Sequence, residues 1–127
     1  MDLFEQDYIM RLIKEMIRAI LKALFDIDTA SPTAELLEQA EEKSVLESLL
    51  DMIDEGKIND AENRLSDILA TGEQEKLKMA LLFYSYLNDK DDQFLEEHDF
   101  SREEIKLGIS RAVSGHGLEG IAELFLS

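Results

Sequence analysis

The stretch YIMRLIKEMIRAILKALF, residues 8 to 25, leaves a helix apolar around most of its circumference. Tyr8, Ile9, Met10, Leu12, Ile13, Met16, Ile17, Ala19, Ile20, Leu21, Ala23, Leu24 and Phe25 are apolar, and Arg11, Lys14, Glu15, Arg18 and Lys22 carry all the charge. Spaced about 100° apart, Asp7 and those five charged residues fall in one stripe roughly 100° wide. The rest of the arc needs cover. Each large apolar side chain left in water forfeits about 1.5–3 kcal/mol, so half a dozen would cost roughly 10 kcal/mol, the net stability of a whole domain.

Three kinds of neighbour can supply that cover. The helix can be the central organiser of its own bundle. It can instead dock a protein partner or a second copy of the chain through Tyr8, Ile9, Leu12, Ile13, Met16, Ile17, Ile20 and Leu24. Lastly, it can lie in a membrane interface with Arg11, Lys14, Arg18 and Lys22 toward anionic headgroups. The third is disfavoured by Asp7 and Glu15 within the basic stripe, and charges in every turn argue against a membrane span.

Charge separates the chain into two parts. Residues 1–25 balance Arg11, Lys14, Arg18 and Lys22 against Asp2, Glu5, Asp7 and Glu15, so the whole formal charge of −16 falls on the remainder. An acidic body repels phosphate backbones, and nucleic acid is excluded as a partner on that ground. With 127 residues and 45% hydrophobic content, the chain reads as one domain: an N-terminal hydrophobic helix, 1–25, and an acidic helical body, 31–127. The chain has no cysteine, and its first charges are acidic, unlike the basic start of a secretory leader. A cytoplasmic setting is the expectation.

One proline, six glycines and no convincing apolar–polar alternation predict an all-α fold, an array of about six antiparallel helices. The first spans about Leu3 to Phe25. Ser31 as cap with Pro32 at the first helical position predicts a second helix running to about Glu55, kinked near Lys43 and Ser44 and closed by Gly56. Asn59 and Glu62 have the spacing of a capping box opening a third helix to Ala70. A fourth covers roughly Glu73 to Asn88, with Leu77, Ala80, Leu81, Tyr84 and Leu87 near helical spacing. A polar connection follows, with room for one short turn around Phe94 and Leu95. Ser101 and Glu104 form a second capping box, opening a helix to about Val113, and Leu118 to Leu126 reads as a last short helix.

Residues 45–69, VLESLLDMIDEGKINDAENRLSDIL, resemble one tetratricopeptide-type hairpin. Gly56, Ile58, Ala61, Leu65, Ile68 and Leu69 follow that spacing, although Ile68 is bulkier than the usual alanine and no second copy follows one period later. The opening segment FEQDYIMRLIKEMIRAILKAL, through Phe4, Asp7, Tyr8, Ile9, Arg11 and Ile13, resembles a family of small uncharacterised bacterial proteins, chiefly from Firmicutes, that constitutes a domain of unknown function. That resemblance implies a helical cytoplasmic protein and brings no catalytic residues.

The motifs with chemical meaning lack the surroundings their chemistry needs. GHGLEG, residues 115–120, satisfies G-x-G-x-x-G, but it follows a helix where a dinucleotide site needs a strand. In EEHD, residues 96–99, the candidate ligands are adjacent and diverge on a helix, so a solvated acidic loop is expected. DKDD, residues 89–92, begins like a calcium loop, yet Phe94 stands where glycine is needed and Phe100 where the bidentate glutamate belongs. His98 and His116 lie in no nucleophile-elbow context. Phe83, Tyr84 and Tyr86 are expected in the core or lining a groove. No catalytic residue, metal or cofactor is therefore assigned. The reading is a non-enzymatic helical protein–protein interaction module that self-associates through its first helix; peripheral membrane attachment and small-molecule binding between helices are the alternatives.

Overall fold

The computed structural model describes residues 3–115. They form six α-helices: α1 (Leu3–Phe25), α2 (Ala40–Asp54), α3 (Ile58–Leu69), α4 (Gln74–Asn88), α5 (Asp92–Glu97) and α6 (Arg102–Ser114), with a 3-10 turn at Ala34–Leu36. The chain is all-α, as the sequence predicts, and the long helices pack as an up–down array. Asn88 reaches Met10 and Gln74 reaches Leu24, so α4 runs antiparallel to α1; Glu42 pairs with Lys76 and Asp54 with Tyr86, so α2 runs alongside α4 in the same direction. The predicted helix over Leu118–Leu126 and the glycine motif from His116 onward lie outside the described residues.

The helix enclosed on all sides is α4, not α1. Leu77 through Tyr84 are eight consecutive buried residues, joined by Leu87 and Asn88. Its sequence is apolar all round, and α1, α2, α3 and α6 each pack against it. This corrects the expectation that the first helix organises the bundle. α1 needs cover on one face only: Ile9, Ile13, Met16, Ile17, Ile20 and Leu21 are buried, whereas Ala19 and Ala23, which lose little by facing water, are exposed.

Two predicted helix starts are also corrected. Ser31 and Pro32 open no helix. The Thr33 hydroxyl accepts from the Glu35 amide to cap the 3-10 turn, and extended backbone at Leu37 and Gln39 delays α2 until Ala40. Buried Leu37 pins that extended connection to the core. Nor do Asn59 and Glu62 form a capping box. The third helix begins two residues earlier, at Ile58, after Lys57, which makes no side-chain cap, and Glu62 is drawn inward to accept the Tyr84 hydroxyl at 2.7 Å. The Ser101–Glu104 box forms as predicted, each side chain bonding the other residue's amide. Gly56 closes the second helix at φ +83°, and the His98 ring packs where a side chain on it would stand. His98 is thus no solvated loop residue: its Nδ1 lies 2.8 Å from the Phe94 carbonyl and its ring stacks on Phe94.

A buried guanidinium locks the helix ends together. Arg102, 2% exposed, donates Nε to Asn88 Oδ1 (3.3 Å), Nη2 to the carbonyls of Asn88 (3.2 Å) and Lys90 (2.7 Å), and Nη1 to Gln6 (3.3 Å) and to the Asp92 carboxylate. Asn88 in turn donates to the Met10 carbonyl at 3.0 Å. One cation therefore ties the first turns of α1, the end of α4, α5 and the start of α6. Truncating it strands several buried acceptors and a carboxylate, so Arg102→Ala is expected to lower unfolding free energy by ~3 kcal/mol or more in urea titration.

Burial raises the pKa of the Glu62 carboxyl; the Tyr84 hydrogen bond opposes this, Glu104 adds to it and Arg111 opposes it. A carboxyl whose folded pKa is raised binds protons more readily in the native state, so its contribution to stability falls as pH rises from the unfolded value of 4.5 through the folded one. Glu62→Gln removes that dependence. The melting temperature of the variant, relative to wild type, is expected to be higher at pH 7 than at pH 4, and thermal unfolding at the two pH values checks it.

Candidate interaction surface

The sequence places its candidate contacts on α1, and the structure divides them between two environments. Ile9, Ile13, Met16, Ile17 and Ile20 sit in the chain's own core against α4 and α6. Leu12 and Leu24 are half-buried at the rim, and Tyr8 is 68% exposed. The basic stripe of Arg11, Lys14, Arg18 and Lys22 is exposed along its length. What α1 presents outward is therefore narrower than the full apolar arc.

At about 100° per residue, that outward half contains two adjacent strips. One is the basic stripe. The other is Tyr8, Leu12, Glu15, Ala19 and Ala23, spread over about 80° of arc. Large side chains occupy its N-terminal half and small ones its C-terminal half, with Glu15 between. The backbone that carries this strip is held firmly: the Arg102 and Asn88 network fixes its first turns, and the Gln74 side chain donates to the Leu24 carbonyl at its last.

Three of the four cations meet acidic partners on the same chain. Lys14 lies 3.7 Å from Asp89, Arg18 3.1 Å from Asp28 and Lys22 3.0 Å from Asp26. All three pairs are about half exposed or more on both sides, where screening by water leaves each worth little. They moderate the positive strip without holding the fold. No helix among the described residues is long and apolar enough to cross a bilayer.

A model for a family of unknown function, DUF6483, matches residues 3–116. The chain belongs to that family. The DUF6483 match runs from the start of α1 to just past the end of α6, so it takes in both faces of the first helix and the Arg102 network that positions it. No curated protein and no solved structure matches the chain.

Arg102 and Asn88, which set the position of α1, escape a reading by motif. A signal for Arg102 does exist: a cation in the first turn of a helix opposes the macrodipole, so a nearby anion such as Asp92 is required to offset it. Glu62 and Tyr84 are paired across 22 positions by packing alone. Because the α1 ion pairs are exposed, Lys14→Gln and Arg18→Gln are each expected to change unfolding free energy by no more than about 0.5 kcal/mol, as measured by urea titration.

Proposed function

We propose that this chain is a non-enzymatic, cytoplasmic protein–protein interaction module whose partner is a second copy of itself, docked along the exposed half of α1. The observation that carries the reading is the order of side chains on the outward strip. An antiparallel second copy centred between residues 15 and 16 sets Tyr8 against Ala23 of the other copy and Leu12 against Ala19. By the two-fold symmetry, Ala19 then meets Leu12 and Ala23 meets Tyr8. Large residues seat over small ones at all four positions, the self-complementarity that an isologous interface requires.

A two-fold axis between antiparallel helices brings both basic strips to one flank of the pair, where the Asp89, Asp28 and Asp26 partners of Lys14, Arg18 and Lys22 moderate the repulsion. The tetratricopeptide-like hairpin read over residues 45–69 belongs to this proposal as a supporting element: Ala61 is buried and Gly56 allows the tight reversal between α2 and α3. The interface is small. One helix pair falls below the roughly 1,200 Å² at which stable complexes begin, so association is weak and depends on concentration.

Sedimentation equilibrium from ten to several hundred micromolar is expected to show a monomer–dimer equilibrium. Ala19→Arg and Ala23→Arg place a long charged chain where a small one is needed, at exposed positions that leave the monomer fold intact by circular dichroism. Both are expected to abolish the dimer. A monomeric wild type over the whole range, or a dimer indifferent to both substitutions, overturns the proposal. So does a monomer that co-sediments with anionic vesicles, which assigns the same face to a membrane surface.

A further inference from the structure

A cavity of about 400 Å³ opens between α3 and α6, with Tyr84 of α4 in its lining. Leu65 is buried in its wall, and Leu69 is half-buried beside it. Gly108 forms the opposite side: a Cβ there would stand 2.3 Å from the Tyr84 hydroxyl oxygen, so the missing side chain lets the tyrosine reach across to Glu62.

Two opposite charges line this space from facing helices. Glu62 projects from α3, its Oε2 accepting the Tyr84 hydroxyl, and Arg111 projects from α6. Arg111 acts on the Glu62 carboxylate through space, yet among the described residues the two do not join in an ion pair with each other. An anion and a cation held apart across a cavity of mixed polar and apolar lining select a ligand by its charge pattern. A simple anion is repelled by Glu62, a simple cation by Arg111, and a neutral apolar molecule leaves both charges without partners at its surface. A ligand carrying both charges in the opposite order satisfies each.

We propose that this pocket binds a small zwitterion of the α-amino-acid type, with its ammonium on Glu62, its carboxylate on Arg111 and an apolar side chain against Leu65 and Leu69. The volume lies within the range of small-molecule sites, and Leu65 and Leu69 supply an apolar strip between the two charges. Arg111 offers the planar fork that matches a carboxylate. The Tyr84 hydroxyl occupies one lone pair of Glu62 and fixes the carboxylate's orientation, leaving its other oxygen for the ammonium. This site shares no residue with the outward strip of α1 and stands or falls apart from it.

The test is thermal shift on the full chain with each proteinogenic amino acid at millimolar concentration, followed by calorimetric titration of those that stabilise it. At least one amino acid with an apolar side chain is expected to raise the melting temperature. Its affinity is expected to fall about tenfold or more in Arg111→Gln and in Glu62→Gln, each of which removes one charge-assisted contact. The methyl ester of that amino acid, lacking the carboxylate, and its N-acetyl derivative, lacking the ammonium, are expected not to bind. Arg111 is exposed and Gln at position 62 still accepts from Tyr84, so both variants keep the fold. Failure of every amino acid to bind, undiminished affinity in either variant, or binding of the ester or the N-acetyl derivative as tight as that of the parent amino acid overturns the proposal.

Discussion

The arrangement of every other element depends on α4 being apolar around its whole circumference. A helix with eight successive buried residues cannot be stable against one neighbour, because covering one face leaves the others in water. Four helices are required to enclose it, and α1, α2, α3 and α6 are the four long helices the rest of the described chain provides. Contacts between the helices show their directions: α1 and α6 run antiparallel to α4, whereas α2 runs alongside it in the same direction.

Enclosing a helix so completely also brings polar groups into the interior, and most of their atoms find partners. Lys78 sits on α4 at 5% exposure, with its Nζ 3.1 Å from Glu75 and 3.3 Å from the Leu36 carbonyl, above the ring of Phe25. Its stem covers core surface while its head finds acceptors at the edge. Glu42 is held by Lys76 at 3.1 Å through Oε1, and its Oε2 has no hydrogen-bond partner among the described residues. Arg102 is the largest case. Its guanidinium donates five hydrogen bonds at the junction of four helices, which makes a costly buried charge into the fixing point for one end of the bundle.

Because α4 takes the central place, α1 is released to be a wall with one buried face and one free half. That release is what gives the outward strip of Tyr8, Leu12, Glu15, Ala19 and Ala23 a potential role in recognition. The rigidity of the strip comes from elsewhere, from hydrogen bonds made by α4 and α6 side chains to the first and last turns of α1. On the other side, the pocket over Tyr84 exists because α6 carries glycine at position 108, where any side chain would collide with the tyrosine ring. Both surfaces thus derive from how neighbours approach the same central helix.

The sequence by itself determined the local features: an all-α chain, the extent of α1, the stop at Gly56, the capping box at Ser101 and Glu104, and the neutral N-terminal segment before an acidic body. These rest on periodicity, capping chemistry and charge, which act between residues a few positions apart. It misassigned the central helix, because α1 and α4 are both rich in apolar residues and only the packing decides which is surrounded. It misplaced the starts at Ser31 and Asn59, where residues that suit a cap were outweighed by Leu37 entering the core and by Glu62 meeting Tyr84. Tertiary structure alone decided which α1 residues face inward, where Arg102 finds its partners and that Glu62 and Arg111 share a cavity, since each joins elements whose approach no local pattern encodes.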